Sequence, residues 1–392
     1  MLNILEPVHY ENSVLKKEFR SYLPYNDNSF NANDEIRISV NNFNFVLLNE
    51  SYIRFEIKVL STIPADATLN LNENFIPFLF SEIRLEMNGI PIDSVKSPGI
   101  CSSMLSYLTL DTEEKNAATL QTWSGDLKKG NVRDFIVPLR YFLNFANDCK
   151  KIIIFSRLEL ILVRARNDDN AVKMTIVATV KGSAKLGLEK IRWFVPHIYP
   201  EESLKLKMLK ILEHGRQISM PFRSIEYHEN PGIAGTDISW QVKITTSRPL
   251  YVIVGFQTDK KDNTSTNPTK FDHCSLRNCR LFLNSDVFPY EALNVDYANE
   301  KFAIPYKMLQ DCRKSFCEKI GSGITREEFK SKAPLICFDI SNYDTHLKNA
   351  ITDVRLVIQF DAAPVVKTSV NLIIISEEII QYNPFTNIVQ KE

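Results

Sequence analysis

The chain has 392 residues and a mass of 45.1 kDa, with 44% hydrophobic and 24% charged residues, the proportions of an ordinary globular protein. Its 47 Lys and Arg cancel its 47 Asp and Glu, so no global field draws in a polyanion and strong direct binding of nucleic acid by the free chain is not expected. No apolar run nears the ~20 residues of a membrane helix. The opening Met1–Pro7 is too short and acidic for a signal peptide, so synthesis in the cytoplasm without secretion is expected, and seven cysteines without framework spacing should be reduced and mostly buried.

Along the chain, residues 1–30 are rich in Asn and Tyr and weakly patterned, the expectation being an arm that orders only against a neighbour. Short β-branched segments bounded by Asn, Asp, Pro or Gly then predict strands near 35–40, 53–60, 83–87, 134–137, 155–163 and 174–180. A helix is predicted over 99–111, and the polar stretch 111–131 reads as a long exposed loop carrying Trp123. Ser203–Leu212 fits an amphipathic helix, preceded by Pro200 and closed by Gly215. Strands follow near 218–226, 239–245, 250–256, 279–283, 335–339, 354–360 and 369–375, with a second exposed loop at 259–270 and a helix over 295–316.

The second half repeats the first. Arg84-Leu85-Glu86-Met87-Asn88 returns as Arg280-Leu281-Phe282-Leu283-Asn284 at an offset of 196, and Pro138-Leu139 returns as Pro334-Leu335 at the same offset. Arg157-Leu158 has its partner in Arg355-Leu356, offset 198. A fixed long offset signals a duplicated unit. Each half places a helical excursion after its Asn-containing turn. Many short strands with few long helical patterns argue for two antiparallel β-sandwiches rather than a parallel α/β sheet, an all-β fold. The expected division is an arm over 1–30, sandwiches over 31–199 and 217–382, a junction helix within 200–216, and a tail over 383–392.

Catalytic chemistry finds little support in this pattern. The histidines are His9, His197, His214, His228, His273 and His346, and no two stand at i, i+2 or i, i+4. The His-x-His that opens the metal site of a cupin-type oxygenase, the obvious duplicated-sandwich enzyme, is missing from both halves. His273-Cys274 with Cys279, Cys312 and Cys317 could be drawn as a zinc site, but the gaps are loose and buried thiols are the better expectation. Asp168-Asp169 lacks a third acidic ligand for calcium, and Gly321-Ser322-Gly323 lacks the Lys of a phosphate loop. Trp193 and Trp240 sit in core-like patterns; Trp123 alone is a plausible exposed contact. No enzyme activity, metal or cofactor is expected.

Several segments together resemble the double jelly-roll major capsid proteins and capsid-like proteins of DNA viruses and of virus-like transposons of invertebrates. Residues 79–93, with Asn88, Gly89 and Pro91, followed by Ser97-Pro98-Gly99, look like the first roll. Trp193-Phe194-Val195-Pro196-His197, the junction helix, and Trp240 through Gly255-Phe256-Gln257-Thr258 are similar to the inter-roll segment and the opening of the second roll. Asn284 with Phe288-Pro289-Tyr290, then Asp296-Tyr297, resembles the matching turn and excursion, and Tyr382-Asn383-Pro384-Phe385-Thr386-Asn387 the terminal segment. The resemblance covers roughly residues 35–390. It implies a tandem double jelly roll of two eight-stranded sandwiches and a structural capsid protein of the virion. Such chains form homotrimers of pseudo-hexagonal outline that tile an icosahedral shell, with a separate vertex (penton) protein as a further partner. The alternative is a domesticated, non-viral double sandwich acting as a binding or scaffold module. Solution mass separates the two.

Overall fold

A computed structural model of the chain describes residues 13–25, 30–41, 45–60, 67–118, 132–176, 185–213, 215–245, 248–321, 323–342, 353–365 and 367–391. Trp123, His9, His214, Ser322, His346 and most of the 111–131 loop lie outside them. Among the described residues, sixteen principal strands build two sandwiches. In the first half they are β1 (Val14–Tyr22), β2 (Glu35–Asn41), β3 (Tyr52–Val59), β4 (Phe80–Met87), β5 (Ile90–Lys96), β6 (Val132–Pro138), β7 (Arg157–Arg164) and β8 (Leu186–Pro200). In the second they are β9 (Ile218–Asn230), β10 (Asp237–Val242), β11 (Pro249–Thr258), β12 (Leu276–Leu283), β13 (Asp286–Phe288), β14 (Ile336–Asp339), β15 (Val354–Phe360) and β16 (Thr368–Asn383).

The strand order is the same twice. One sheet of the first half runs β1-β8-β3-β6 and the other β2-β7-β4-β5; adding eight to each number gives β9-β16-β11-β14 and β10-β15-β12-β13. This is the eight-stranded jelly roll, in tandem. The repeat reaches the register. Leu85 faces Leu160 across β4 and β7, and Leu281 faces Leu356 across β12 and β15. Small additions at 45–46, 67–71, 153–154, 172–176 and 388–391 extend the sheets or form a separate two-stranded sheet.

Alternation explains the first roll. In β3, Ile53, Phe55, Ile57 and Val59 are buried, while Tyr52, Arg54, Glu56 and Lys58 face outward. β11 differs: residues 251–257 are buried without a break, because side chains on both faces are covered. Phe256 points inward, edge-to-face on Phe360 at 5.4 Å, whereas Tyr251 points outward onto Phe316 at 5.4 Å.

Among the described residues, six α-helices lie in the connections. α1 (Pro98–Thr109) and α2 (Thr112–Ala118) follow β5, and α3 (Asn144–Asp148) follows β6. α4 (Glu202–Glu213) joins the rolls, and α5 (Ala303–Cys317) and α6 (Arg326–Lys332) follow β13. Gly215 ends α4 at φ +74, its N–H bonded to the Leu212 carbonyl at 2.9 Å.

Four expectations need correction, and one strand, β8, was not expected. Residues 14–22 are not part of a free arm; they form β1, paired along β8 from Val14–Pro200 to Tyr22–Trp193. Its side chains show no hydrophobic period because most are exposed, with only Glu18 and Tyr22 half-buried. β8 escapes sequence patterning because a bulge at Leu188/Lys190 shifts the period and Pro196 and Pro200 read as breakers. The helix expected over 295–316 starts at Ala303, after a turn closed by paired backbone bonds between Asp296 and Lys301. The 111–131 stretch is not all loop, since α2 occupies 112–118. The 383–392 tail folds back, Ile388–Lys391 pairing with the end of β16.

Candidate functional site

The residues singled out from the sequence turn out to be joints of the scaffold. Asn88 and Gly89 both take positive φ (+52 and +82), the backbone of the tight turn between β4 and β5. Asn88 then clasps β7: its N–H donates to the Arg157 carbonyl at 2.8 Å, and its Oδ1 accepts from the Arg157 N–H at 2.8 Å. Asn284, at φ +54, makes the same clasp on Asp353, at 2.9 and 2.8 Å. A short amide that tolerates the left-handed region and bonds backbone is what both turns require.

Pro98 occupies the first turn of α1, where its missing N–H costs nothing. A Cβ on Gly99 would stand 2.4 Å from the Phe78 ring, and one on Gly255 2.8 Å from Leu335 and Phe271. Trp193 is fully buried, and Pro196, also buried, accepts the Leu47 N–H at 3.2 Å through its carbonyl. Trp240 is half-buried against the core, Pro91 lies exposed on β5, and Pro289 follows a cis peptide bond at the end of β13.

The rolls are locked by residues that sequence patterning missed. Arg313 of α5 has no exposed surface, donates to the Leu108 carbonyl at 2.8 Å, and pairs with Asp111. A cation thereby caps the C-terminal carbonyls of α1 from the other roll. Lys319 adds a bond to the Thr109 carbonyl at 3.0 Å and pairs with Glu114. Arg223 of β9 holds Asp148 of α3 through Nε at 2.8 Å and a terminal nitrogen at 2.6 Å, and lies 3.9 Å over the Phe316 ring. Phe145 meets Phe222 edge-to-face at 5.3 Å. The loop at 259–270 belongs to this junction too: its Asp262 accepts from Asn167 and Asn170 at 3.0 and 3.2 Å, and its Thr264 carbonyl from Met174 N–H at 2.7 Å. It is half-buried rather than freely exposed. Arg313 was legible in one respect: it takes an inward position of α5 between Leu309, Cys312 and Phe316, where an apolar residue belongs.

Asp93 of β5 is another buried titratable group at the junction. Its Oδ2 accepts the Phe145 N–H at 2.9 Å, while Oδ1 has no hydrogen-bond partner among the described residues. Burial pushes this carboxyl up to about 7; the Phe145 N–H pulls it down, Glu378 and Asp148 push it up, and Lys391 opposes them. Glu378 itself pairs with Lys391 at 2.6 Å.

Two cavities among the described residues are lined by polar side chains. One, of about 660 Å³, lies at the junction among Asn49, Arg140, Asp148, Arg223, Phe316 and Lys319. Arg223, Asp148 and Lys319 there are already engaged in the pairs above. The other, of about 930 Å³, is lined by Lys260, Asp272, His273, Cys274, Arg326 and Lys330. His273 Nδ1 accepts the Ser275 N–H at 3.0 Å and the ring stacks on Tyr297 at 4.6 Å. Burial pushes the Cys274 thiol up to about 11, so at neutral pH it is a thiol rather than a nucleophilic thiolate. Asp168 forms a buried pair with Arg164 at 2.8 Å and accepts the Leu186 N–H at 2.8 Å, a structural role. Cys279, Cys312 and Cys337 are buried and Cys317 half-buried, all as free thiols. Among the described residues no three His, Cys, Asp or Glu are grouped to hold a metal ion, and no helix is long and apolar enough to cross a membrane.

Two antiparallel jelly rolls of identical strand order, interlocked in one chain, define the class: a tandem double jelly roll. Within it the chain belongs to the double jelly roll-like domain family, whose model matches residues 69–380. Its structure is similar to PBCV-1 VP54 as fitted into a cryo-EM reconstruction of the virophage Sputnik, at 9% identity, TM-score 0.66 and 99% of each chain. It is also similar to the mavirus major capsid protein (12% identity, TM-score 0.58, 100% of this chain and 92% of that one). The Faustovirus major capsid protein gives 9% identity and TM-score 0.60 over 96% and 92%. At such identities the likeness is one of fold. No curated protein sequence matches.

Proposed function

We propose that this protein is a structural capsid protein: three copies form a pseudo-hexagonal capsomer, capsomers tile an icosahedral shell in the virion, and the chain itself performs no catalysis. The observation that carries this reading is the repeated topology with an interlocked junction, which makes one chain present two similar rolls in a fixed relation. Three such chains then offer six similar edges to neighbours. The zero formal net charge fits a shell that does not condense its genome. A vertex protein closing the fivefold positions is a further partner of the proposal. Obligate contacts of this kind bury roughly 2,000 Å² or more.

Light scattering and negative-stain microscopy of the purified chain test it. A species near 135 kDa, three chains of 45.1 kDa, or closed shells, is expected. A monomer across salt and pH that binds a glycan or small ligand would overturn the reading.

A further inference from the structure

α5 packs against β14 in the second roll, and the strand register says which residues meet it. Tyr251 of β11 points to α5: its ring meets Phe316 edge-to-face at 5.4 Å, and its hydroxyl shares a hydrogen bond with Ser315 Oγ at 2.9 Å. Side chains alternate along a strand, and directly opposed residues share a face. Ile253 and its partner across the ladder, Cys337 of β14, therefore point to the same side as Tyr251. On α5, Cys312 stands four residues before Phe316, buried on the same inward stripe. Four helical residues rise about 6 Å and two strand residues span about 6.6 Å. A helix lying along the strands with Phe316 on Tyr251 thus carries Cys312 to the Ile253–Cys337 pair. The two thiols meet there, hydrogen-bonded side chain to side chain, each 1% exposed and each free.

We infer that Cys312 and Cys337 form a dithiol site that hydrogen peroxide converts to a disulfide, stapling α5 to β14. One thiolate attacks the peroxide O–O bond, giving a sulfenic acid and, with a proton, one water. The second thiolate then displaces the sulfenic oxygen as a second water, and the S–S bond forms. Two electrons pass from the sulfur pair to the peroxide, and the two thiol protons leave in the waters. The neighbouring thiol and burial push Cys312 up, so the reaction is slow at neutral pH and quickens as pH rises. α5 also carries Arg313, which reaches the α1 carbonyls of the first roll. The staple therefore fastens the clamp between the rolls to the sheet of its own roll. The inference is independent of the self-assembly proposed above.

Hydrogen peroxide treatment of the folded full-length chain tests it, read by thiol titration in denaturant and by peptide mapping without reductant. Free thiols are expected to fall from seven to five, with one cross-link, Cys312 to Cys337. The thermal midpoint should rise by roughly 3 °C or more and return to its starting value on reduction with dithiothreitol. Cys337→Ala, checked for folding by circular dichroism, should keep all six of its remaining thiols at the same dose. A cross-link that forms only in urea overturns the site. So does oxidation of the half-buried Cys274 and Cys317 while Cys312 and Cys337 stay thiols. A Cys312–Cys337 cross-link that leaves the thermal midpoint unchanged overturns the staple.

Discussion

The two β-sheets containing β3 and β11 have the same strand order and opposite surroundings. In the first roll the outward face carries Arg54, Glu56 and Lys58, cross-linked by pairs such as Arg54–Asp134 at 2.7 Å and Lys190–Glu56 at 3.5 Å. In the second the corresponding outward positions, 197 residues on, hold Tyr251, Ile253 and Gly255, covered by α5, Leu335 and Phe271. Duplication supplied the same backbone twice. One copy's face is buried against helices and neighbouring side chains and is apolar, while the solvated copy's face carries charges.

The largest test of that contrast is a charge swap at equivalent positions. Ile253→Glu buries an unpaired carboxylate and should cost about 4 kcal/mol or more in urea unfolding, whereas Glu56→Ile should stay within about 0.5 kcal/mol. Equal effects would end the distinction between covered and open faces. Arg313→Met should follow at roughly 3 kcal/mol, because the Leu108 and Leu110 carbonyls lose a charged donor while the aliphatic volume is retained. Limited proteolysis near α2 should accelerate in the same variant; an unchanged cleavage pattern would mean that α2 is held by other contacts.

Asp93 sharpens the contrast through pH. Its carboxyl is raised from 3.8 to about 7 in the folded protein, so the folded state binds the proton more tightly. Its penalty is therefore absent below pH ~4, grows as pH rises, and is complete above the folded value. Asp93→Asn should gain about 2 kcal/mol more at pH 8 than at pH 5, and a pH-independent difference would contradict this. The smallest effects belong to the clasps. Asn88→Ala and Asn284→Ala should each cost about 1–2 kcal/mol, through a lost backbone bond and a strained left-handed residue. Similar values at both positions are expected if the duplicated clasp is equivalent; a neutral Asn284→Ala would limit it to the first roll.

Much of this architecture is written in local pattern. The alternation of residues 52–59 marks a half-exposed strand, and the unbroken run Leu250–Phe256 marks one covered on both sides. The Asn88 and Asn284 turns are visible because left-handed backbone restricts residue choice. Strand β1 is not visible, because a strand left mostly exposed on both faces leaves no hydrophobic period, and β8 hides behind its bulge. Arg313, Asp93 and Arg223 look like ordinary charges in sequence, since what makes them matter is a partner about 200, 50 or 75 positions away.

Sequence alone thus determined that a unit was copied, that its strands alternate, and that tight turns recur at one offset, because these depend on neighbours within a few residues. Tertiary structure alone decided which copied face is covered, where buried charges find partners, and that β1 is left mostly exposed. Those outcomes depend on contacts between distant segments, and burial is a property of the assembled surface rather than of any residue in it.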